Sequence, residues 1–271
     1  MKKILFMDLD NTLLDSNKKI SEENYSAIRR ALEGGNSIVI CTGRPLCATT
    51  AQIEKLQLNK EGCYAICFNG GLVYDCYKKE SIFKMSLNMD DVKTIFQKAD
   101  EAGIHCQTYD SEDLLVKNED PETEFYARTC QISYRVDPGI PDSLKEDPVK
   151  VLLIDLNDHG KLERFRNCLE AWARGRVSIF FSNDYYLEIV KEGISKGSAI
   201  LWLCKYLNVP VENTVSAGDS ENDIPMIETA GIGCAMANAT PACKEAADYI
   251  TEKDCDHSGL AEIIEKFMIT A

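Results

Sequence analysis

Short apolar runs alternate with stretches whose apolar residues recur every three or four positions, and this rhythm governs the first eighty residues. Lys3–Met7 is an apolar run ending in Asp8 and Asp10, and it reads as a buried strand. Ser21 opens a helix with Glu22, Glu23 and Asn24 in its first turn and Tyr25, Ile28, Ala31 and Leu32 on one face; Gly34-Gly35 stops it. Ser37–Cys41 is a second buried strand, and Pro45 starts a helix through Gln57. Tyr64–Phe68 is a third strand, followed by an Asn69-Gly70-Gly71 turn and Leu72–Tyr74. Strands alternating with helices predict a parallel sheet with helices on its faces.

A second stretch of similar character begins near Ile82. Val92, Ile95, Phe96 and Ala99 fall at helical spacing, and Ile104–Tyr109, Leu114–Val116 and Val149–Leu156 read as strands. A helix with Leu162, Phe165, Leu169 and Trp172 on one face follows, then a hairpin of Val177–Phe181 and Tyr186–Val190. The acidic run Glu119-Asp120-Pro121-Glu122 reads as a solvated loop edge. Phe125, Tyr126, Tyr134, Tyr185 and Tyr186 are either core or pocket lining. From Lys196 the first rhythm returns: helix to Leu207, strand Thr214–Ala217, helix from Glu221, strand Ile232–Ala235, and helices at Pro241–Ala247 and Leu260–Phe267. The organisation expected is an α/β core formed by residues 1–81 and 191–271, with an α/β domain inserted at 82–190.

Charge narrows the choice of partner. The 271 residues carry 30 Lys and Arg against 44 Asp and Glu, a net charge of −14. Such a field repels nucleic-acid backbones and anionic lipid surfaces, so a small anionic substrate binds only where local groups override it. No targeting signal is expected at the start, because Met1–Met7 is too short for a signal core, and no run reaches the ~20 apolar residues of a membrane helix. The 12 cysteines contain no C-x-x-C pair; Cys63 and Cys67 come nearest to one, and no histidine lies near them to complete a zinc site. They read as buried free thiols in a reducing cytoplasm. His105, His159 and His257 lie outside every motif and are expected on the surface or in loops.

Four stretches carry chemistry, three of them where a strand is expected to end and where open α/β sheets bind ligands, the fourth at a helix start. In Asp8-Leu9-Asp10-Asn11-Thr12 the aspartates stand two apart, so they share one side of the strand; two close carboxylates call for a shared proton or a cation such as Mg²⁺. Cys41-Thr42-Gly43-Arg44-Pro45 offers a hydroxyl and a glycine amide as a cup for an anionic oxygen. Lys196-Gly197 puts an ammonium at a helix start, against the helix dipole, which hints at a buried anionic partner. Gly218-Asp219-Ser220-Glu221-Asn222-Asp223 offers Asp219 to complete a metal site begun by Asp8. Taken singly, each stretch is also compatible with turn, capping or solvated roles.

Together and in this order, Asp8-Leu9-Asp10-Asn11-Thr12, Thr42-Gly43-Arg44, Lys196-Gly197 and Gly218-Asp219-x-x-Asn222-Asp223 resemble the four motifs of the haloacid dehalogenase-like superfamily. Within it the chain resembles the Cof-type phosphatases, with further matches at Asn69-Gly70 and Ser258-Gly259-Leu260-Ala261. The resemblance implies a Rossmann-like parallel-sheet core with an inserted, substrate-selecting α/β cap. It implies Mg²⁺-dependent hydrolysis of small phosphomonoesters, sugar phosphates or similar metabolites, through an aspartyl phosphate. The related alternatives are a phosphosugar mutase or phosphotransferase, or a metal- or phosphate-sensing protein. Asp8 is then the nucleophile and Asp10 the acid and base. Asp8, the Asp10 carbonyl and Asp219 hold the metal; Thr42, the Leu9 and Gly43 amides, Lys196 and Asn222 hold phosphate oxygens; Asp223 orients Lys196 or a metal-bound water. Asn11 stands where many relatives have glycine, and Arg44 is expected to pair with a surface carboxylate. A monomer or homodimer acting in the cytoplasm, without nucleic-acid or membrane partners, completes the expectation.

Overall fold

The computed structural model describes residues 2–110 and 113–269, which divide into two compact units. The first comprises residues up to Gly43, Thr49–Phe83 and Ser195 onward; the second comprises Arg44–Ala48 and Lys84–Ile194. In chain order the elements are β1 (Ile4–Met7), α1 (Glu22–Glu33), β2 (Ser37–Cys41), α2 (Thr50–Lys55), β3 (Tyr64–Cys67), β4 (Leu72–Asp75) and β5 (Glu80–Lys84). The second unit continues with α3 (Met89–Ala102), β6 (His105–Tyr109), β7 (Leu114–Val116), α4 (Pro121–Cys130), β8 (Tyr134–Val136), β9 (Lys150–Ile154), α5 (His159–Ala173), β10 (Val177–Asn183) and β11 (Tyr186–Lys191). The first unit resumes with α6 (Lys196–Leu207), β12 (Thr214–Gly218), α7 (Ile224–Thr229), β13 (Ile232–Ala235), α8 (Pro241–Glu245), β14 (Tyr249–Ile250) and α9 (Gly259–Phe267).

The first unit is built on an eight-stranded sheet in the order β14-β13-β12-β1-β2-β3-β4-β5. From β14 to β3 every pairing is parallel; β4 returns antiparallel on β3. Every residue of β1, β2 and β3 is buried, as expected of strands covered on both faces. Ile4, Phe6, Val39, Cys41 and Ile66 pack with Ala199, Ile200 and Leu203 of α6. Strand order reverses at β1, whose neighbours β2 and β12 lead to opposite edges. A parallel sheet opens its ligand crevice at that switch point, beyond the carboxyl ends of the strands.

The second unit holds a six-stranded sheet, β10-β11-β9-β6-β7-β8, antiparallel except for β7 on β8. Val151, Leu153, Leu187 and Ile189 face a core completed by Phe96 of α3 and Phe165 of α5. The alternate positions carry a polar row. Lys150 pairs with Glu188 at 2.8 Å, both buried, and its ammonium lies 5.1 Å from the Tyr109 ring centre. The Tyr109 hydroxyl donates to that of Tyr126 on α4 at 2.6 Å. Tyr126 and Tyr186 are buried, so these two aromatics belong to the interior.

Several local expectations change. The helix expected from Pro45 to Gln57 is only Thr50–Lys55: the stretch before it forms a turn closed by Ala48 N–H to the Pro45 carbonyl, and Gln57 turns left-handed (φ 55°). The run Glu119-Asp120-Pro121-Glu122 is a helix start. Asp120 is the N-cap and Pro121 the first helical residue, the position where a missing N–H costs nothing. Asp120 Oδ1 accepts from the Thr123 N–H and hydroxyl, each at 2.8 Å, while Oδ2 meets His105 Nδ1 at 2.7 Å. His105 is thus part of β6, its side chain nearly buried, and not a loop histidine. The helix expected from Glu221 begins as a 3₁₀ turn, Glu221–Asp223, before α7. Ten cysteines are buried; Cys47 and Cys168 are exposed. Burial pushes the Cys204 and Cys255 thiols up to about 11 and those of Cys234 and Cys243 up to about 12, which makes them unreactive. No helix among the described residues is long and apolar enough to cross a membrane.

The cap at Asp120 generates a stability prediction. Asp120→Ala deprives the first turn of α4 of its acceptor and His105 of its partner, and we expect a loss of about 1–2 kcal/mol, read as a lower urea midpoint. An unchanged midpoint would mean that the capping interaction carries no net stability.

Candidate active site

At the end of β1 the ladder runs one residue further, because the Asp8 N–H donates to the Ala217 carbonyl of β12 at 3.0 Å. This holds the Asp8 carboxylate at the switch point, with only 6% of the residue exposed. The chain then turns sharply: Leu14 N–H donates to the Leu9 carbonyl, and Asn11 takes a left-handed conformation (φ 57°), which asparagine tolerates better than most residues. Asp10, two residues on, is near enough for its charge to add to the pressure on Asp8. Its Oδ1 accepts from Lys18 Nζ at 2.8 Å, and its side chain is one-third exposed. Lys18 belongs to no motif and has no sequence signal; only the fold of the loop brings it to Asp10.

Lys196 is the first residue of α6 and its side chain is fully buried. Its Nζ donates to Asp8 Oδ1 and Asp223 Oδ1, each at 2.6 Å. Burial opposes the ammonium, but the Asp223 and Asp8 carboxylates outweigh it and hold the Lys196 pKa well above its ordinary value. The second oxygen of Asp223 accepts from the Asp219 and Ser220 N–H groups at 2.9 and 3.1 Å. Asp223 is therefore engaged at both oxygens.

Asp219 follows β12 and is 5% exposed. Its Oδ1 accepts from the Thr12 hydroxyl at 3.1 Å and its Oδ2 from the Ser220 hydroxyl at 3.0 Å. One oxygen each from Asp8, Asp219 and Asp223 lie within 4.8 Å of one another. Three buried carboxylates thus face one ammonium. Burial, reinforced by the neighbouring aspartates, pushes the Asp8 carboxyl well above the usual carboxylate range. Burial and the Asp223 charge push Asp219 up to about 7. The cluster is short of positive charge and its donors are all hard oxygens, the donor set of a divalent cation.

Thr42, at the carboxyl end of β2, is 1% exposed; its N–H donates to the Ile66 carbonyl and its own carbonyl accepts from the Asn69 N–H. Gly43 follows against the Asn69 carboxamide. Asn222 stands in the 3₁₀ turn before α7, and its Nδ2 donates to Asn69 Oδ1 at 2.9 Å. The sequence motifs contain Thr12 and the Asn69-Gly70 pair directly after a strand but assign neither a role at the site. Arg44 is only 6% exposed, so the surface pairing expected for it does not describe a solvated arginine, and its segment groups with the second unit.

The sequence model for haloacid dehalogenase-like hydrolases matches residues 5–264. The crystal structure of a haloacid dehalogenase-like hydrolase from Bacteroides thetaiotaomicron superposes with a TM-score of 0.89 at 31% identity, covering 98% of this chain and 99% of that one. That of TM0651 from Thermotoga maritima gives 0.84, also at 31% identity, with 100% and 98% covered. The 5-amino-6-(5-phospho-D-ribitylamino)uracil phosphatase YcsE of Bacillus subtilis is 30% identical over 269 residues, 98% of this chain and 96% of its own. With acidic, threonine and lysine groups meeting at the carboxyl ends of a parallel sheet, the chain belongs to the haloacid dehalogenase-like hydrolases, among their phosphatases.

Proposed function

We propose that the protein hydrolyses small phosphomonoesters through an aspartyl phosphate on Asp8, with Mg²⁺ as its cofactor. The observation that carries this reading is the buried cluster of Asp8, Asp219 and Asp223 at the switch point, with Lys196 bonded to Asp8 and Asp223. A carboxylate placed at a crevice, beside a fixed ammonium and without a general base of its own, is equipped to attack phosphorus directly.

An oxygen of Asp8 attacks the phosphorus in line, and the bond to the leaving oxygen breaks as Asp10 delivers a proton to it. Because Asp10 is held on Lys18, acting as the acid means giving up that ion pair and taking a proton from solvent before the leaving oxygen is engaged. In the second half Asp10, now a carboxylate, takes a proton from water, the water oxygen attacks phosphorus, and the Asp8 carboxylate and inorganic phosphate are released. Lys196, Thr42, Asn222 and the Leu9 and Gly43 amides hold the non-bridging oxygens, where fixed donors count most as charge shifts in the transition state. Asp223, saturated by Lys196 and two backbone N–H groups, keeps the ammonium aimed at this point.

The donor set fits a divalent cation: with all three carboxylates ionised, one ammonium leaves two negative charges uncompensated. Asp8, Asp219 and the Asp10 carbonyl hold it, and when bound it neutralises carboxylate and phosphate charge together. Asp223, with both oxygens spent, stands outside that set. The relative YcsE is named for a phosphate monoester on a polyol chain, which supports small polyhydroxylated esters as the substrate class. The inserted unit selects among them, and the charge of −14 disfavours nucleic-acid substrates.

Two predictions follow from this chemistry. Phosphate release from a panel of sugar phosphates, nucleotides and an aryl phosphate is expected with Mg²⁺, to vanish with chelator, and to fall about 10³-fold or more in Asp8→Asn. Activity surviving either treatment would overturn the nucleophile or the cofactor assignment. Ester consumption without free phosphate would redirect the reading to transfer onto an acceptor.

The second concerns stability. Between its ordinary 3.8 and about 7, Asp219 is protonated in the folded metal-free chain and ionised in the unfolded one. The folded state then binds more protons, so stability falls as pH rises through that window, and Asp8 acts in the same direction. In chelator the thermal midpoint should decline from about pH 5 to about pH 7, and added Mg²⁺ should raise it more at the higher pH. A midpoint that rises with pH in chelator would contradict the crowded-carboxylate picture.

A further inference from the structure

The turn that joins β3 to β4 does more than reverse the chain. Asn69 is fully buried and left-handed (φ 56°, ψ 28°), and its N–H is fixed on the Thr42 carbonyl at 3.0 Å. Its Oδ1 accepts from Asn222 Nδ2 at 2.9 Å. Its own Nδ2 finds no hydrogen-bond partner among the described residues. A Cβ at Gly43 would lie 3.1 Å from Oδ1 and 3.2 Å from Nδ2 of the same carboxamide. Gly70, the next residue (φ 109°), packs so closely on the start of α6 that a Cβ there would lie 2.3 Å from the Ser195 carbonyl. One turn therefore touches the Thr42-Gly43 loop, Asn222 and the residue preceding Lys196.

A buried amide donor with no acceptor costs free energy. Selected for stability alone, a left-handed position in this turn would be glycine, which adopts that backbone freely and buries no donor. The asparagine is explained by its oxygen. We propose that Asn69 is a positioning residue: its Oδ1 takes one of the two amide protons of Asn222 and so orients that amide, leaving the other proton for a phosphate oxygen. The inference rests on the reading of Asn222 as a phosphate-holding group. The orientation matters because the two ends of a carboxamide are opposite in sign: turned over, Asn222 would offer its oxygen to an anion. With Asn69 Oδ1 presented to it, a turned-over Asn222 would face a second oxygen. Gly43 belongs to the same arrangement, as any side chain there would push the Asn69 carboxamide by a few tenths of an ångström.

The test is a double-mutant cycle read by the Ki of inorganic phosphate as product inhibitor and by kcat/KM on the best ester. Asn222→Ala is expected to raise the Ki about 10-fold or more, in keeping with a hydrogen bond to a charged partner. Asn69→Gly retains the left-handed backbone and should raise it about 3- to 10-fold, while Asn69→Gly/Asn222→Ala should bind phosphate as Asn222→Ala alone does. Losses that multiply in the double variant would overturn the proposal, because a general loosening of the turn acts whether or not Asn222 is present. An unaffected Asn69→Gly would overturn it as well, leaving Asn222 in its role. An unaffected Asn222→Ala would remove both the proposal and the reading of Asn222, though not the hydrolase itself. Thermal unfolding checks that each variant is folded; if Asn69→Gly is not, Asn69→Ser, too short to reach Asn222, gives the same comparison.

Discussion

Everything in the site is arranged around the ammonium of Lys196, clasped at 2.6 Å by Asp8 on one side and Asp223 on the other. Taking three charges out of water is costly, and such a group is stable only if each member is held in place by further bonds. Here they are. Asp223 spends its second oxygen on two backbone N–H groups, and Asp8 is anchored by the ladder between β1 and β12. Lys196 also sits where the helix dipole disfavours a cation, with Ser195 and Ser198 closing a capping box around it. Its position is explained by the carboxylates and not by helix chemistry.

Close packing of backbones makes the clasp reachable. A Cβ at Gly197 would lie 2.2 Å from the Pro225 carbonyl, and one at Gly218 would lie 2.4 Å from the Asp223 Cβ. Neither glycine is in the left-handed region; both are there for space. Gly197 lets α6 approach the start of α7, and Gly218 lets the chain after β12 fold back onto Asp223. The motif glycines beside the catalytic candidates are thus what shortens the distance between charges that are 188 and 27 residues apart in sequence.

How much of this was legible beforehand differs by scale. The strands of the first unit read clearly because they are buried on both faces, so continuous apolar runs mark them without ambiguity. The acidic and threonine motifs were visible because each closes such a run, and the lysine motif because it puts a cation at a helix start. Elements whose identity depends on capping were harder. Asp120-Pro121 carries a sound helix-start signature, yet its acidic company reads equally as a solvated loop until His105 is seen across from it. The exposed strand Glu80–Lys84 has no apolar alternation to announce it. Partners fixed by tertiary geometry, Lys18 on Asp10 and Asn69 on Asn222, leave no periodic trace at all.

The overall charge and the site pull in opposite directions, and the resolution is local. A chain of net charge −14 that receives a phosphate ester cannot rely on long-range attraction, which salt also screens within ~10 Å. Its affinity for the anion has to come from donors in contact with it, where exclusion of water strengthens each interaction. The buried ammonium alone is insufficient, since Asp8 and Asp223 already neutralise it. On the function proposed above, the acidic cluster takes a second cation before an anion is welcome, and the remaining phosphate contacts fall to neutral donors: a threonine hydroxyl, backbone amides and the amide of Asn222. Neutral donors hold an anion only when their dipoles are aimed, so the groups that aim them carry as much of the binding as the donors themselves.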